Sequence, residues 1–134
     1  MKVKTTDLCD RFAPELAVAD PVFKDYGGTP FFAGEIATVQ VYEDNILVRR
    51  TLEEPGQGRV LVVDGGGSLR CALVGGMIAY LAHRNGWAGI LVYGCIRNSD
   101  EIARVPIGVK ALNSNPLRPK KQGTGQLGIA VTFA

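Results

Sequence analysis

The sequence predicts a single α/β domain organised around a central parallel strand-helix-strand unit. Two short apolar runs, Val60 to Val63 and Ile90 to Val92, are rich in β-branched residues and read as strands covered on both faces. Between them lies a helical stretch that stops at Asn85-Gly86, and a strand, helix and strand in that order pair in parallel, with a right-handed crossover. A third strand is signalled by period-two alternation from Ile36 to Tyr42, and 134 residues suit one domain.

The elements follow in order. Thr6 or Asp7 caps a short helix through Leu8, Cys9 and Phe12, which Pro14 ends, and Pro21 and Pro30 frame a Gly27-Gly28 turn. From Ile36 to Tyr42, Ala37, Val39 and Val41 face one side and Ile, Thr, Gln and Tyr the other. Between Glu43 and Glu54 the residues Ile46, Leu47 and Leu52 interleave with charges as on a short helix, closed by Pro55-Gly56. Val60 to Val63 runs into Asp64 and three glycines. Ser68 caps a helix carrying Leu69, Ala72 and Leu73, which Gly75-Gly76 breaks from a second stretch carrying Ile78, Leu81 and Ala82. Ser99 caps a short acidic turn through Asp100, Glu101 and Ile102, and Val109 to Leu112 and Leu127 to Phe133 read as further strands.

Composition narrows the function. Apolar residues are 46% and charged residues 21%, a globular balance, and a net charge of +2 makes no large basic field. The densest basic stretch, Arg118, Lys120 and Lys121, lies among prolines without an aromatic partner, so direct nucleic-acid binding is not indicated. Cys9, Cys71 and Cys95 are widely spaced, and His83 is the only histidine, which argues against a disulfide framework or a zinc site and for reduced thiols in a cytosol. Met1 to Asp10 carries charges at Lys2, Lys4 and Asp7, and nothing reaches spanning length; the expectation is a soluble, unprocessed, cytoplasmic chain without a membrane partner.

Chemistry concentrates between Arg59 and Asn98. Gly65-Gly66-Gly67-Ser68 follows a strand, but the Walker lysine is absent and the sixth position of the dinucleotide fingerprint is Arg70. Gly75, Gly76, Met77 and Ile78 open a helical stretch, where unpaired amides favour a carboxylate or phosphate; a helix kink is the competing reading. Arg97 sits just past the carboxyl end of a parallel strand, where open α/β sheets place ligands, and its planar fork suits a carboxylate; a surface ion pair is the alternative. Together these predict a small-carboxylate pocket centred on Arg97. A metal there would need acids, yet Asp64 is the only acid at either strand end, and Asp100 and Glu101 are expected to face water or stabilise a helix start. His83 reads as a surface residue and the cysteines as core or strand-end residues.

The run from Arg59 to Gly75 (RVLVVDGGGSLRCALVG), Asn85-Gly-Trp-Ala-Gly89 and Tyr93-Gly-Cys-Ile-Arg97 strongly resemble the regulator of ribonuclease activity A family, which includes the class II 4-hydroxy-4-methyl-2-oxoglutarate aldolases that double as oxaloacetate decarboxylases. The likeness extends to Thr6 to Asp10, Gly27-Gly28, Glu43 to Asn45 and Ile107 to Leu112. The resemblance implies a single swivelling-type β/β/α domain, assembled as a homotrimer or dimer of trimers with the pocket at a subunit interface. It also implies that Arg97 anchors the substrate and that Gly75, Gly76, Met77 and Ile78 grip its carboxylate. In the enzymes a divalent metal, Mg²⁺ or Mn²⁺, binds the carboxylate and oxo group of pyruvate. Catalytic members carry an Asp, twenty intervening residues and Arg-Asp; here those Asp positions fall on Gly76 and Asn98. Asn98 then remains as a weak metal ligand, with the charge lost. Members usually continue for a few strands past the one matching Ile129 to Phe133, whereas this chain stops at Ala134. The resulting expectation is a non-catalytic regulator of RNA degradation with a pyruvate-type pocket and no cofactor, whose partner is ribonuclease E or an RNA helicase. The alternative is a weakly active, metal-dependent aldolase or oxaloacetate decarboxylase.

Overall fold

The computed structural model describes residues 3–134; Met1 and Lys2, part of the stretch read above for a leader, lie outside them. Among the described residues the chain forms a seven-stranded mixed sheet flanked by helices. Its strands are β1 (Lys24–Asp25), β2 (Ile36–Gln40), β3 (Val60–Asp64), β4 (Ala72–Val74), β5 (Gly89–Ile96), β6 (Gly108–Ser114) and β7 (Gln126–Leu127). The helices are α1 (Thr5–Phe12), α2 (Ile46–Glu53), α3 (Gly76–Arg84) and α4 (Ser99–Ile102), with one 3₁₀ turn at Ala13–Glu15.

The predicted unit is present, with β3, α3 and β5 in sequence and β3 and β5 paired in parallel from Val60↔Gly89 to Asp64↔Tyr93. The sheet order is β1-β6-β5-β3-β2-β7, with β2, β3, β5 and β6 parallel and the two edge strands antiparallel. Every residue of β3 is buried, as its unbroken apolar run requires. Val48 and Leu52 of α2 and Ile78, Ala79 and Ala82 of α3 join Leu61, Val63, Ile90 and Val92 in one core, and the two alanines let α3 lie close to the sheet. Asn85 and Trp87 staple the α2 and α3 ends together, with Asn85 Nδ2 donating to Leu52 O at 2.9 Å and Trp87 Nε1 to Glu54 O at 3.0 Å.

Four expectations need correction. The Ser68 to Leu73 helix does not form; residues Gly66 and Gly67 turn with positive φ, and Ala72–Val74 becomes β4. The Ser68 hydroxyl is used in the turn, donating to the Glu43 carboxylate at 2.6 Å and accepting from the Arg70 amide at 3.2 Å. The reason is tertiary. β3 ends opposite Tyr93, so the last residues of β5 lack a neighbour there, and β4 supplies it through Ala72↔Cys95 and Val74↔Ile96. Gly75-Gly76 therefore marks a strand-to-helix junction, not a break between helices. The last predicted strand shrinks to Gln126–Leu127; beyond it the Gly128 amide and Ile129 carbonyl still bond Thr38, and Phe133 stacks on Tyr93 with centroids 4.6 Å apart. Finally, neither α1 nor α4 has a side-chain cap, since Lys4 and Asn98 occupy the cap positions that Thr6, Asp7 and Ser99 were expected to fill.

Candidate functional site

Because β4 and β5 are parallel neighbours that end in register at Val74↔Ile96, the next residues, Gly75 and Arg97, emerge side by side. The Arg97 amide bonds Val74 O at 2.9 Å, which fixes the start of its side chain. A Cβ on Gly75 would lie 3.6 Å from Arg97 Cγ and 3.7 Å from its Nε, so the bare glycine keeps the space over the guanidinium open. α3 begins at once with Gly76, and its cap residue Gly75 offers no side chain. The first-turn amides of Gly76, Met77 and Ile78 are thus left for a ligand or water. Arg97 Nη1 makes one long bond, 3.4 Å to Pro116 O, and among the described residues it has no ion pair. Gly75, Gly76, Met77, Ile78, Arg97 and Asn98 all border one cleft of about 340 Å³.

An acid enters this cleft from an unexpected place. Asn98 adopts left-handed backbone, φ 55° and ψ 49°, and its carbonyl accepts the amides of Glu101 and Ile102, each at 3.0 Å. This tight reversal turns α4 back toward α3 and lays Glu101 against Gly76. A Cβ added at Gly76 would collide with Glu101 Oε2 and stand 2.8 Å from its Cβ. Glu101 therefore borders the cleft rather than only facing water, while Asp100 stays exposed. The signal in the sequence is faint: an asparagine able to take positive φ, placed between Arg97 and an acid four residues after it.

Asp64, the acid expected at the strand end, does not reach Arg97. It accepts Gln40 Nε2 at 3.1 Å and the Gly66 amide at 2.9 Å and borders a different cleft. The triple glycine leads through a turn into β4, not into a helix, so the arrangement that cradles a nucleotide phosphate is not built. Burial pushes the thiols of Cys71 and Cys95 up, which keeps them protonated and unreactive. His83 lies exposed near the end of α3.

The cleft also includes residues that local reading did not find. Asn45 is buried and ties α2 to β4 by donating to Leu73 O at 3.1 Å; Arg49 follows it on α2, and Arg118 and Lys121 close the far side. Among the described residues no group of three histidine, cysteine or acidic side chains is gathered for a metal. Glu101 is the one carboxylate and Asn98 one of two side-chain amides among the residues lining the cleft, and Mg²⁺ is a hard ion commonly held by one or two carboxylates with substrate and water oxygens completing its shell.

No helix among the described residues is long and apolar enough to cross a membrane. A protein of Alkalilimnicola ehrlichii named "Putative 4-hydroxy-4-methyl-2-oxoglutarate aldolase" is 58% identical over 134 residues, covering 100% of this chain and 83% of that one. The RNA-processing inhibitor RraA of Thermus thermophilis superposes with a TM-score of 0.93 at 49% identity, over 96% of this chain and 78% of its own. A Geobacillus kaustophilus structure described as S-adenosylmethionine:2-dimethylmenaquinone methyltransferase gives a TM-score of 0.95 at 50% identity, over 98% and 81%. The α/β fold with a mixed sheet and flanking helices is thus the swivelling fold of RraA-like proteins. The family model described as RraA-like, Aldolase/RraA, matches residues 5–134, and the chain belongs to that family.

Proposed function

We propose that the Arg97 cleft binds a 2-oxo acid and supports divalent-metal-dependent aldolase or oxaloacetate decarboxylase chemistry. The observation that carries this reading is the Glu101 carboxylate lying against Gly76, beside Arg97 and the α3 amides. The resemblance implies that Gly76 falls at a position where catalytic members carry an acid, and Glu101 supports the view that this chain brings a carboxylate to the same place from another element. The lyase reading therefore stands ahead of the non-catalytic one that Gly76 and Asn98 suggested from sequence.

Each group has a role. Arg97 grips the substrate carboxylate through its fork, and the amides of Gly76, Met77 and Ile78 complete that grip at the positive end of α3. Glu101 and the Asn98 amide oxygen are the residues suited to hold Mg²⁺ or Mn²⁺. A metal bound there would polarise the 2-oxo group as a Lewis acid. Arg97 and the amides meanwhile orient the carboxylate so that the bond to be broken is presented to that polarised group. In the same reading the chain works in the cytoplasm as a homotrimer or dimer of trimers; Met77, 77% exposed at the cleft, and Tyr80, 58% exposed further along α3, are apolar surface suited to a neighbouring subunit.

The test is pyruvate release from oxaloacetate with Mg²⁺ or Mn²⁺. Wild type is expected to exceed the no-protein blank and Arg97→Ala to fall toward it; equal rates in all three would end this reading. The likeness to the Thermus RNA-processing inhibitor favours a second reading, a protein-binding regulator acting on ribonuclease E or an RNA helicase. Absence of binding to purified ribonuclease E at physiological salt would count against it.

A further inference from the structure

A second cleft, of about 460 Å³, opens beyond the carboxyl ends of β2 and β3, where parallel sheets place ligands. Gln40 ends β2 and Asp64 ends β3. The two are register partners, and their side chains meet, with Gln40 Nε2 donating to Asp64 Oδ2 at 3.1 Å. Asp64 is only 8% exposed, yet among the described residues no cation pairs with it. Its partners are neutral: the Gln40 amide on Oδ2 and the Gly66 amide, at 2.9 Å, on Oδ1. A carboxylate has about four lone-pair sites, so each oxygen keeps an acceptor position open. A carboxylate withdrawn from water is costly unless hydrogen bonds and an opposite charge compensate it, and here the opposite charge is missing.

Gly66 joins this acid to an aromatic ring. Its amide holds Asp64, its φ of 67° begins the turn that leads to β4, and its bare Cα lets the Tyr42 ring lie against it. A Cβ at Gly66 would stand 2.8 Å from Tyr42 Cδ1 and 3.0 Å from Cε1. Tyr42 borders the same cleft and remains 59% exposed, so its ring is open to a ligand. The rest of the wall is fixed as well. Asp44 accepts the Thr124 amide at 3.4 Å and its hydroxyl at 3.2 Å, and Gln126 of β7 pairs with Gln40 in the sheet. The glycine run that invites a phosphate in the sequence thus lies beside a buried acid, which selects the opposite charge.

We propose that the Asp64 cleft is a binding site for a guanidinium group. The planar fork of N–H donors takes the open positions on the two carboxylate oxygens, and the cation rests on the Tyr42 ring. The site is separate from the Arg97 cleft and does not depend on the reading given to that cleft.

The experiment compares L-arginine with L-citrulline, which have nearly the same shape and differ in that the ureido group of citrulline is neutral. Binding to the isotope-labelled full chain is followed through the Gly66 amide resonance. Wild type is expected to bind L-arginine at least about tenfold more tightly than L-citrulline, the factor that one charge-assisted contact supplies. Asp64→Asn keeps an oxygen for the Gly66 amide and should bring L-arginine down to the L-citrulline level, with circular dichroism checking the fold. Tyr42→Leu, which leaves the acid in place, should weaken L-arginine about threefold. N-acetyl-L-arginine amide separates the two sources of the group: tighter binding than free L-arginine points to an arginine side chain on a protein, and weaker binding to a small guanidino compound. Equal affinity for L-arginine and L-citrulline in wild type, or a Gly66 resonance that millimolar L-arginine does not move, overturns the site, as does L-arginine binding that neither variant weakens.

Discussion

Replacing Gly76 with alanine puts a methyl group where the structure has the Glu101 side chain. The new Cβ would stand 2.8 Å from Glu101 Cβ and 3.2 Å from Cδ, besides meeting the carboxylate oxygen. The carboxylate can swing toward solvent, but Glu101 Cβ cannot, because α4 is pinned by the Asn98 carbonyl and by buried Ile102. Overpacking of this kind costs about 1–3 kcal/mol, and alanine returns up to about 1 kcal/mol of helix propensity. The net loss of up to about 3 kcal/mol, about 2 if the propensity gain is realised in full, lowers Tm by up to about 7–11 °C for a domain of this size, at about 0.28 kcal/mol per degree. Scanning calorimetry on wild type, Gly76→Ala, Glu101→Gly and the double variant closes a cycle. Removing the Glu101 side chain relieves the contact, so the double variant should be no less stable than Glu101→Gly alone. Simple additivity of the two losses would refute the contact between α3 and α4 on which the site depends.

Three further outcomes follow from the packing and the caps. Leu52→Ala removes a fully buried side chain between α2 and the sheet and should cost about 2–5 kcal/mol in urea unfolding with the slope unchanged. Asn98→Ala forces a Cβ-bearing residue without a polar side chain into left-handed backbone and should lose about 1 kcal/mol by thermal melting, whereas Asn98→Gly should be nearly neutral. Burial pushes the Asp44 carboxyl up, but the amides of Ile46, Gln122, Thr124 and Gly123 outweigh it and hold the group below its usual range. A depressed folded pKa contributes stability that is present above the unfolded value of about 3.9 and is lost as pH falls through the folded one. Wild type should therefore lose stability more steeply than Asp44→Asn as urea midpoints are followed downward from about pH 4.

How much of this was legible in the sequence depends on the range of the interaction. β3 and β5 declare themselves through local apolar runs, and Arg97 follows from its place just beyond the strand that Ile90 to Val92 announce. β4 does not, because Leu69, Ala72 and Leu73 satisfy helical spacing and only the unpaired end of β5 decides the matter. Glu101 was hidden for a similar reason: its direction is set by the left-handed turn at Asn98, and the space it fills is a hydrogen atom on Gly76. Arg118 and Lys121 read in the sequence only as a basic stretch among prolines, since their contact with the site runs through Asp44 and Asn45, more than seventy residues earlier in the chain.

The central claim is that Glu101 supplies the acid that position 76 lacks, and moving the acid tests it most directly. Metal-dependent pyruvate release from oxaloacetate is measured for wild type, Glu101→Gly and Gly76→Asp/Glu101→Gly, with folding checked by circular dichroism. The expected result is a loss of at least about tenfold in Glu101→Gly, the lower end of what losing a partner of a metal site costs. Moving the carboxylate to position 76 should then restore most of the rate. A Glu101→Gly rate equal to that of wild type would contradict the account.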